Sequence, residues 1–124
     1  MASVLDVVKL LRTNLPKVTF YPLEFPIDSP DDAACIEVYG QGRASAGVAN
    51  LQLDIRIRAS HPASAEAIHN DITDFLDKKT NFILGDVQVV LVETTSPMPL
   101  YAGRDGSSRY LYSSNFTLIT NKGV

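Results

Sequence analysis

One stretch of the chain constrains the fold more than any other. Over Leu51–Arg58, apolar and polar side chains alternate without a break. This alternation has the period of a strand that buries one face, and one-sided burial is typical of antiparallel sheets. The stretch therefore predicts a half-buried strand, whose outward face carries Gln52, Asp54, Arg56 and Arg58.

Two other segments have the spacing of amphipathic helices. The first runs from about Ser3 to Asn14, with Ser3 as N-cap and Asp6 at the positive end of the helix dipole. The second is opened by Pro62 after a cap at Ser60 or His61. Its predicted buried stripe is Ala65, Ile68, Ile72, Phe75 and Leu76, and we place His69 on its polar side.

The remaining segments read as strands separated by loops. The predicted strands are Val18–Tyr21, Cys35–Tyr39, Val87–Thr94 and Arg109–Thr120, and the predicted loops are Leu23–Asp32, Gly40–Asn50 and Ser96–Ser108. Because Gly40–Asn50 is rich in glycine and small residues, we expect a mobile hairpin loop there. The order predicts one α+β domain over residues 1–124, with a mostly antiparallel sheet of about four to five strands and two helices packed against it.

Bulk composition narrows the function classes. The formal net charge of −3 disfavours sequence-specific binding of nucleic acid, which depends on clustered Lys and Arg. Cys35 is the single cysteine and lies in an apolar run, so we interpret it as a small buried hydrophobe. We find no secretory signal, no apolar run long enough to cross a membrane and no zinc-ligand spacing, and we expect a reducing, cytosol-like compartment.

No residue pattern here carries reaction chemistry. Asp31–Asp32 lies in a predicted loop, and the acids of the second helix lie on its outer face. We interpret both groups as solvated surface carboxylates. The histidines His61 and His69 fit no triad or ligand spacing. The segment Gly103–Gly106 lacks the ending of a phosphate loop and predicts a turn, in which Asp105 pairs with either Arg104 or Arg109. We therefore predict no catalytic, cofactor-binding or metal-binding residue.

The polar face of the central strand has two interpretations. Asp54, Arg56 and Arg58 form either an ordinary solvated face or a contact surface between subunits, because alternating acids and arginines suit polar contacts between copies. The residues alone leave these two interpretations equally open.

The whole chain resembles the tail terminators, also called minor capsid proteins, of long-tailed bacteriophages (siphophages) and prophages. The resemblance rests on the N-terminal helix and on six further segments: Val18–Tyr21, Pro26–Asp32, Leu51–Arg58, Ala63–Leu76, Pro97–Asp105 and Arg109–Phe116. The most distinctive part is the Gly103-Arg104-Asp105 turn, which leads to Arg109 and an aromatic strand with Asn115-Phe116.

The resemblance implies a non-enzymatic virion protein without a cofactor, assembled in the host bacterial cytoplasm. Such a subunit forms a ring, typically a hexamer, on the last ring of tail tube protein, stops tube polymerisation and meets the head-completion or neck proteins. A subunit that stays monomeric until it meets the tube fits equally well. By this analogy Arg104, Asp105 and Arg109 are interface or fold-shaping residues. A weakly acidic subunit would not grip DNA passing through the ring lumen.

Two alternatives remain open from the sequence. One is a head-closure or neck adaptor protein of a phage, which would bind the portal-side connector and not the tube protein. The other, of a different class, is a small cytosolic ligand-binding or enzymatic α+β domain. That alternative would require a polar pocket around His61, His69 or Cys35.

Overall fold

The computed structural model describes residues 3–45 and 48–121. In chain order the elements are α1 (Val4–Asn14), β1 (Phe20–Pro22), β2 (Ala33–Ser45), β3 (Val48–Ala59), α2 (Pro62–Leu76), β4 (Thr80–Leu84), β5 (Val87–Thr94), β6 (Leu100–Arg104) and β7 (Tyr110–Asn121). The α+β class is confirmed, and both helices pack against the sheet as expected.

All seven strands of the described chain belong to one sheet, in the order β1-β2-β3-β7-β5-β4, with β6 also paired to β7. Every pairing is antiparallel except that of β1 with β2, which is parallel. Strand β7 pairs along its whole length with β3, while its other edge is shared by β5 and β6. Helix α1 packs against β1 and β2 and also reaches β4 at the far end of the sheet, so the sheet curls around the helix.

The core lies between the helices and one face of the sheet. The apolar side chains of β3, Leu53, Ile55 and Ile57, are buried there together with Phe116 of β7. Helix α1 contributes Val7, Val8 and Leu11, and α2 contributes Ala65, Ile68, Ile72 and Leu76. The alternation in Leu51–Arg58 therefore predicted the buried face correctly.

Both helix starts follow the predicted chemistry. Ser3 and Asp6 form a capping box, in which the Asp6 carboxylate accepts the backbone N–H of Ser3 at 2.9 Å. His61 is the N-cap of α2 and Pro62 occupies the first turn, where a missing N–H costs nothing.

The expected number of strands was too low. Strand β4 was not predicted, and β6 lies within the predicted loop Ser96–Ser108. The predicted loop Gly40–Asn50 is also mostly wrong, because β2 extends to Ser45 and β3 begins at Val48. Residues 46 and 47 of that predicted loop lie outside the described residues, and the proposed mobility is not tested.

Candidate interaction surface

The sheet face opposite the helices carries the polar side chains of β3, and we call it the open face. Cross-strand register places Glu37 opposite Asp54 and Cys35 opposite Arg56. On the other side of β3, Asn115 lies opposite Asp54 and Ser113 opposite Arg56. All of these side chains therefore share the face that the alternation of β3 predicted to be polar.

One end of the open face is covered by the loop that follows β1. Arg58 lies on this face as predicted, but only 5% of the residue is exposed. Its guanidinium donates to the carbonyl oxygens of Pro30 and Asp31 and to Ser29 Oγ, at 2.5, 3.2 and 2.7 Å. The ring of Phe25 lies 4.2 Å from its central carbon. Burial, followed by the nearby Arg109 cation, lowers the pKa of Arg58.

The same loop is tied to the turn between β6 and β7. Arg109 donates to Asp105 Oδ2 at 2.8 Å and to Asp31 Oδ1 at 3.2 Å, so its side chain links the turn to the loop. Of the two predicted partners, Asp105 therefore pairs with Arg109, while Arg104 donates to the carbonyl of Ser108. These contacts all form within one chain and tie the turn to the loop after β1.

Asp105 also holds the turn through the backbone. Its carboxylate accepts the N–H groups of Arg109 at 2.9 Å and Ser107 at 3.0 Å. The backbone hydrogen bond from Arg109 is the main reason why the pKa of Asp105 lies below its ordinary value. The ionised carboxylate is therefore the form that the turn requires.

The other end of the open face is less covered: Arg56 and Glu37 are exposed and Asp54 is half-buried, although Gln52 beyond them is buried. Arg56 is exposed, and its guanidinium makes no hydrogen bond or ion pair with any side chain or backbone group that the structure describes. It borders a shallow depression of about 210 Å³, whose lining includes Leu23, Cys35, Ala102 and Ser113. By contrast, every buried side-chain nitrogen and oxygen in residues 3–40 and 50–121 has a hydrogen-bond partner.

Two carboxylates lie side by side in this uncovered region. Glu37 and Asp54 are direct cross-strand partners on the same face, an arrangement in which like charges repel. Asp54 accepts hydrogen bonds from Tyr39 Oη at 3.0 Å and Gln52 Nε2 at 3.1 Å, and its bond with Tyr39 raises the pKa of the phenol. Glu37 has no such bond among the described groups. The fold alone gives no reason for this pair.

His69 is not on the polar side of α2, as we expected, but is 1% exposed on the buried side. Its Nδ1 lies 2.5 Å from Ser114 Oγ, and its Nε2 lies 3.1 Å from the carbonyl of Pro97. Because a carbonyl only accepts, the Nε2–H group is the donor to Pro97. His69 thus joins α2 to β7 and to the segment that precedes β6.

The remaining candidates for chemistry stay apart. Cys35 is buried, as predicted, and burial is the main reason why its pKa is raised. Asp32 accepts the backbone N–H of Ser60 at 2.8 Å, so it serves the loop before α2. Across the residues that the structure describes, no cluster of three His, Cys, Asp or Glu side chains is arranged to hold a metal ion. None of the described helices is long and apolar enough to cross a membrane.

Comparison with known proteins identifies the family. The family model described as bacteriophage tail terminator protein matches residues 18–122, which includes every strand described above. No curated protein matches the chain. Tail terminators are structural components of the phage tail, and they interact with other tail components. Since the match covers most of the sequence, the chain belongs to the bacteriophage tail terminator family.

Proposed function

We propose that this protein forms a ring, typically a hexamer, on the last ring of the tail tube, stops tube polymerisation and provides the joint to the head. In this proposal the subunit is made in the host bacterial cytoplasm, has no catalytic role and needs no cofactor. Its partners are further copies of itself, the tube protein and a head-completion or neck protein. DNA passes through the lumen without sequence-specific contact.

The observation that carries the proposal is that the fold covers one end of the open face and leaves charged side chains exposed at the other end. Around Arg58 the polar groups are covered and satisfied within the chain. At the other end, the unpaired guanidinium of Arg56 lies beside the opposed carboxylates of Glu37 and Asp54. Unpaired charges on a sheet face suit a contact that is completed by another protein. Membership of the tail terminator family makes another tail subunit the expected partner.

This assignment modifies the predicted interface. Asp54 and Arg56 remain proposed contact residues, whereas Arg58 lies beneath the loop after β1, and the loop forms the outer surface there. A direct interface role for Arg104, Asp105 and Arg109 stays a prediction. Their contacts within the chain explain why the turn has a defined shape.

The proposal is tested by adding the purified protein to polymerising tube protein from the same phage. We expect shorter tubes that carry extra density at one end, counted by negative-stain electron microscopy, and a plateau in length as the protein is titrated. A matched sample with bovine serum albumin controls for nonspecific crowding.

The same experiment separates the alternatives. Binding to the portal-side connector without binding to tube ends would identify a neck adaptor. Tubes of unchanged length with no bound protein, and no binding to the connector, would contradict a role in tail completion.

A further inference from the structure

Strand β6 has one paired edge and one bare edge. It pairs with β7 on one side, and no other described strand pairs with it. The backbone groups on its outer side are therefore available for pairing, and such an edge is a template for another strand.

The bare strand is held in place at both ends. Before it, the carbonyl of Pro97 accepts the Nε2–H of buried His69 at 3.1 Å. After it, Arg104 donates twice to the carbonyl of Ser108, and the Asp105 N–H bonds to the Arg109 carbonyl at 2.9 Å. An edge that is already ordered loses little conformational entropy when another strand joins it.

The side chains around β6 also favour contact. Met98, Leu100 and Tyr101 are 65%, 53% and 59% exposed, which places three large apolar side chains within four residues. Free edges are commonly protected by lysine. Strand β4, the free edge at the end of the sheet order, is directly preceded by Lys78 and Lys79, whereas no lysine lies in β6 or directly before it.

A second free edge lies on the opposite side of the sheet. Strand β1 pairs only with Ala34–Ile36 of β2, although β2 continues to Ser45. From Glu37 onward, the outer edge of β2 has no neighbouring strand in the described chain. This edge is acidic at Glu37, while the far end of β6 carries the cation Arg104, which has no carboxylate partner among the described groups.

We propose that the β2 edge of one copy pairs with the β6 edge of the next, so that the sheet continues from subunit to subunit. The two edges differ, so the contact is head-to-tail, and such contacts close into a ring when the rotation between copies allows it. Glu37 and Arg104 supply opposite charges across the contact, and Met98, Leu100 and Tyr101 supply apolar area. The inference rests on the proposed ring function. It adds that two edges of the same chain, those of β2 and β6, form the contact between neighbouring subunits.

Mixing two blocked variants tests this contact without knowledge of its register. Leu100→Lys places a lysine on the β6 edge, and Glu37→Lys reverses the charge on the β2 edge. Both residues are exposed, and Glu37→Lys removes a like-charge pair with Asp54, so both variants should fold, as circular dichroism would verify. If Leu100→Lys fails to fold, Met98→Lys replaces it as the β6-edge variant.

Sedimentation velocity at the highest soluble concentration provides the readout. We expect the wild type to form species larger than a dimer and each variant alone to be monomeric. An equimolar mixture of the variants should stop at a 1:1 dimer of twice the 13.5 kDa chain mass, because each retains one intact edge. Ile83→Lys alters an exposed apolar residue on the free edge of β4 and should assemble like the wild type.

Four results would overturn the inference: a wild type that is monomeric throughout, edge variants that assemble normally, a mixture without the 1:1 dimer, or equal loss of assembly in Ile83→Lys. Capping of tubes by the wild type is measured separately. If the protein caps tubes while both edge variants still form rings, the proposed function stands and only this contact is wrong. If it forms rings through these edges but caps no tube, the contact stands and the function is wrong.

Discussion

Arg56 and Arg58 lie on the same face of β3, with Ile57 between them, yet they have opposite surroundings. Arg58 is covered by the loop after β1 and satisfied by Ser29, Pro30 and Asp31. The side chain of Arg56 is exposed and has no hydrogen-bond or ion-pair partner among the described groups. We therefore propose different roles for the two ends of the open face. The covered end, at Arg58, stabilises the fold, and the uncovered end, at Arg56, contacts another subunit during assembly.

The largest expected effect tests the covered end. Arg58→Ala would remove the three hydrogen bonds that the charged guanidinium donates and its contact with Phe25. We expect the free energy of unfolding in urea to fall by about 2–3 kcal/mol, the scale of a buried charge-assisted hydrogen bond. The matched change Arg56→Ala should stay within about 0.5 kcal/mol, as is usual for surface sites. Equal losses of unfolding free energy in the two variants would contradict the proposed difference in role.

A smaller effect is expected from the turn that supports the covered end. The pKa of Asp105 is lowered in the folded state, chiefly by the Arg109 N–H, so its carboxylate stabilises the fold above its unfolded pKa near 3.8. This stabilisation is lost as the pH falls through the lower, folded pKa. We therefore expect Asp105→Asn to be less stable than the wild type at pH 7, by less than Arg58→Ala.

The pH dependence distinguishes this charge effect from a general weakening. In thermal unfolding, the difference between Asp105→Asn and the wild type should shrink as the pH is lowered below about 3.8. Asp28→Asn, which changes an exposed carboxylate in the loop after β1, provides the control. Its stability should differ little from that of the wild type, both at pH 7 and below about pH 3.8. A difference for Asp105→Asn that is independent of pH would contradict the account of the turn.

The smallest effect should have the opposite sign. Glu37→Gln removes the repulsion between two directly opposed carboxylates, so the free energy of unfolding should rise by about 0.3 kcal/mol. Glu93→Gln, whose cross-strand partner is Thr117, should give no gain. Replicate urea titrations on the two variants would resolve the difference. A loss of stability in Glu37→Gln would show that Glu37 supports the fold and is not held for assembly.

The sequence was most informative where a periodic pattern had a single physical cause. Leu51–Arg58 alternates because one face of β3 is buried, and this was sufficient to assign every side chain to its face. The pattern says nothing about what lies above the polar face. The cover on Arg58 comes from residues 29–31, distant in sequence, so no local signal distinguishes it from Arg56.

The missed strands have different causes. Pro97, Pro99 and Gly103 made the region of β6 look like a loop, yet prolines are tolerated beside an edge strand, which is what β6 is. Strand β4 is short and follows α2 closely, and Asn81 within it has a positive φ of 53°, which is unusual for a strand residue.

His69 could have been placed correctly from its spacing. It follows Ala65 by four residues and precedes Ile72 by three, so it lies on the same helical stripe as these buried residues. Its polarity outweighed its position in our prediction. A histidine on a buried stripe indicates a polar partner across the core, here Ser114.

The most direct test of the account is tube capping by Arg56→Glu, measured together with its free energy of unfolding. Tube ends with bound protein would be counted by electron microscopy across a titration of wild type and variant. If the uncovered end of the open face serves assembly, the variant should lose no more than about 1 kcal/mol of stability, the scale of repulsion between its new carboxylate and those of Glu37 and Asp54, and should leave tube ends uncapped. Capping at wild-type concentrations would contradict the assignment of that surface to assembly.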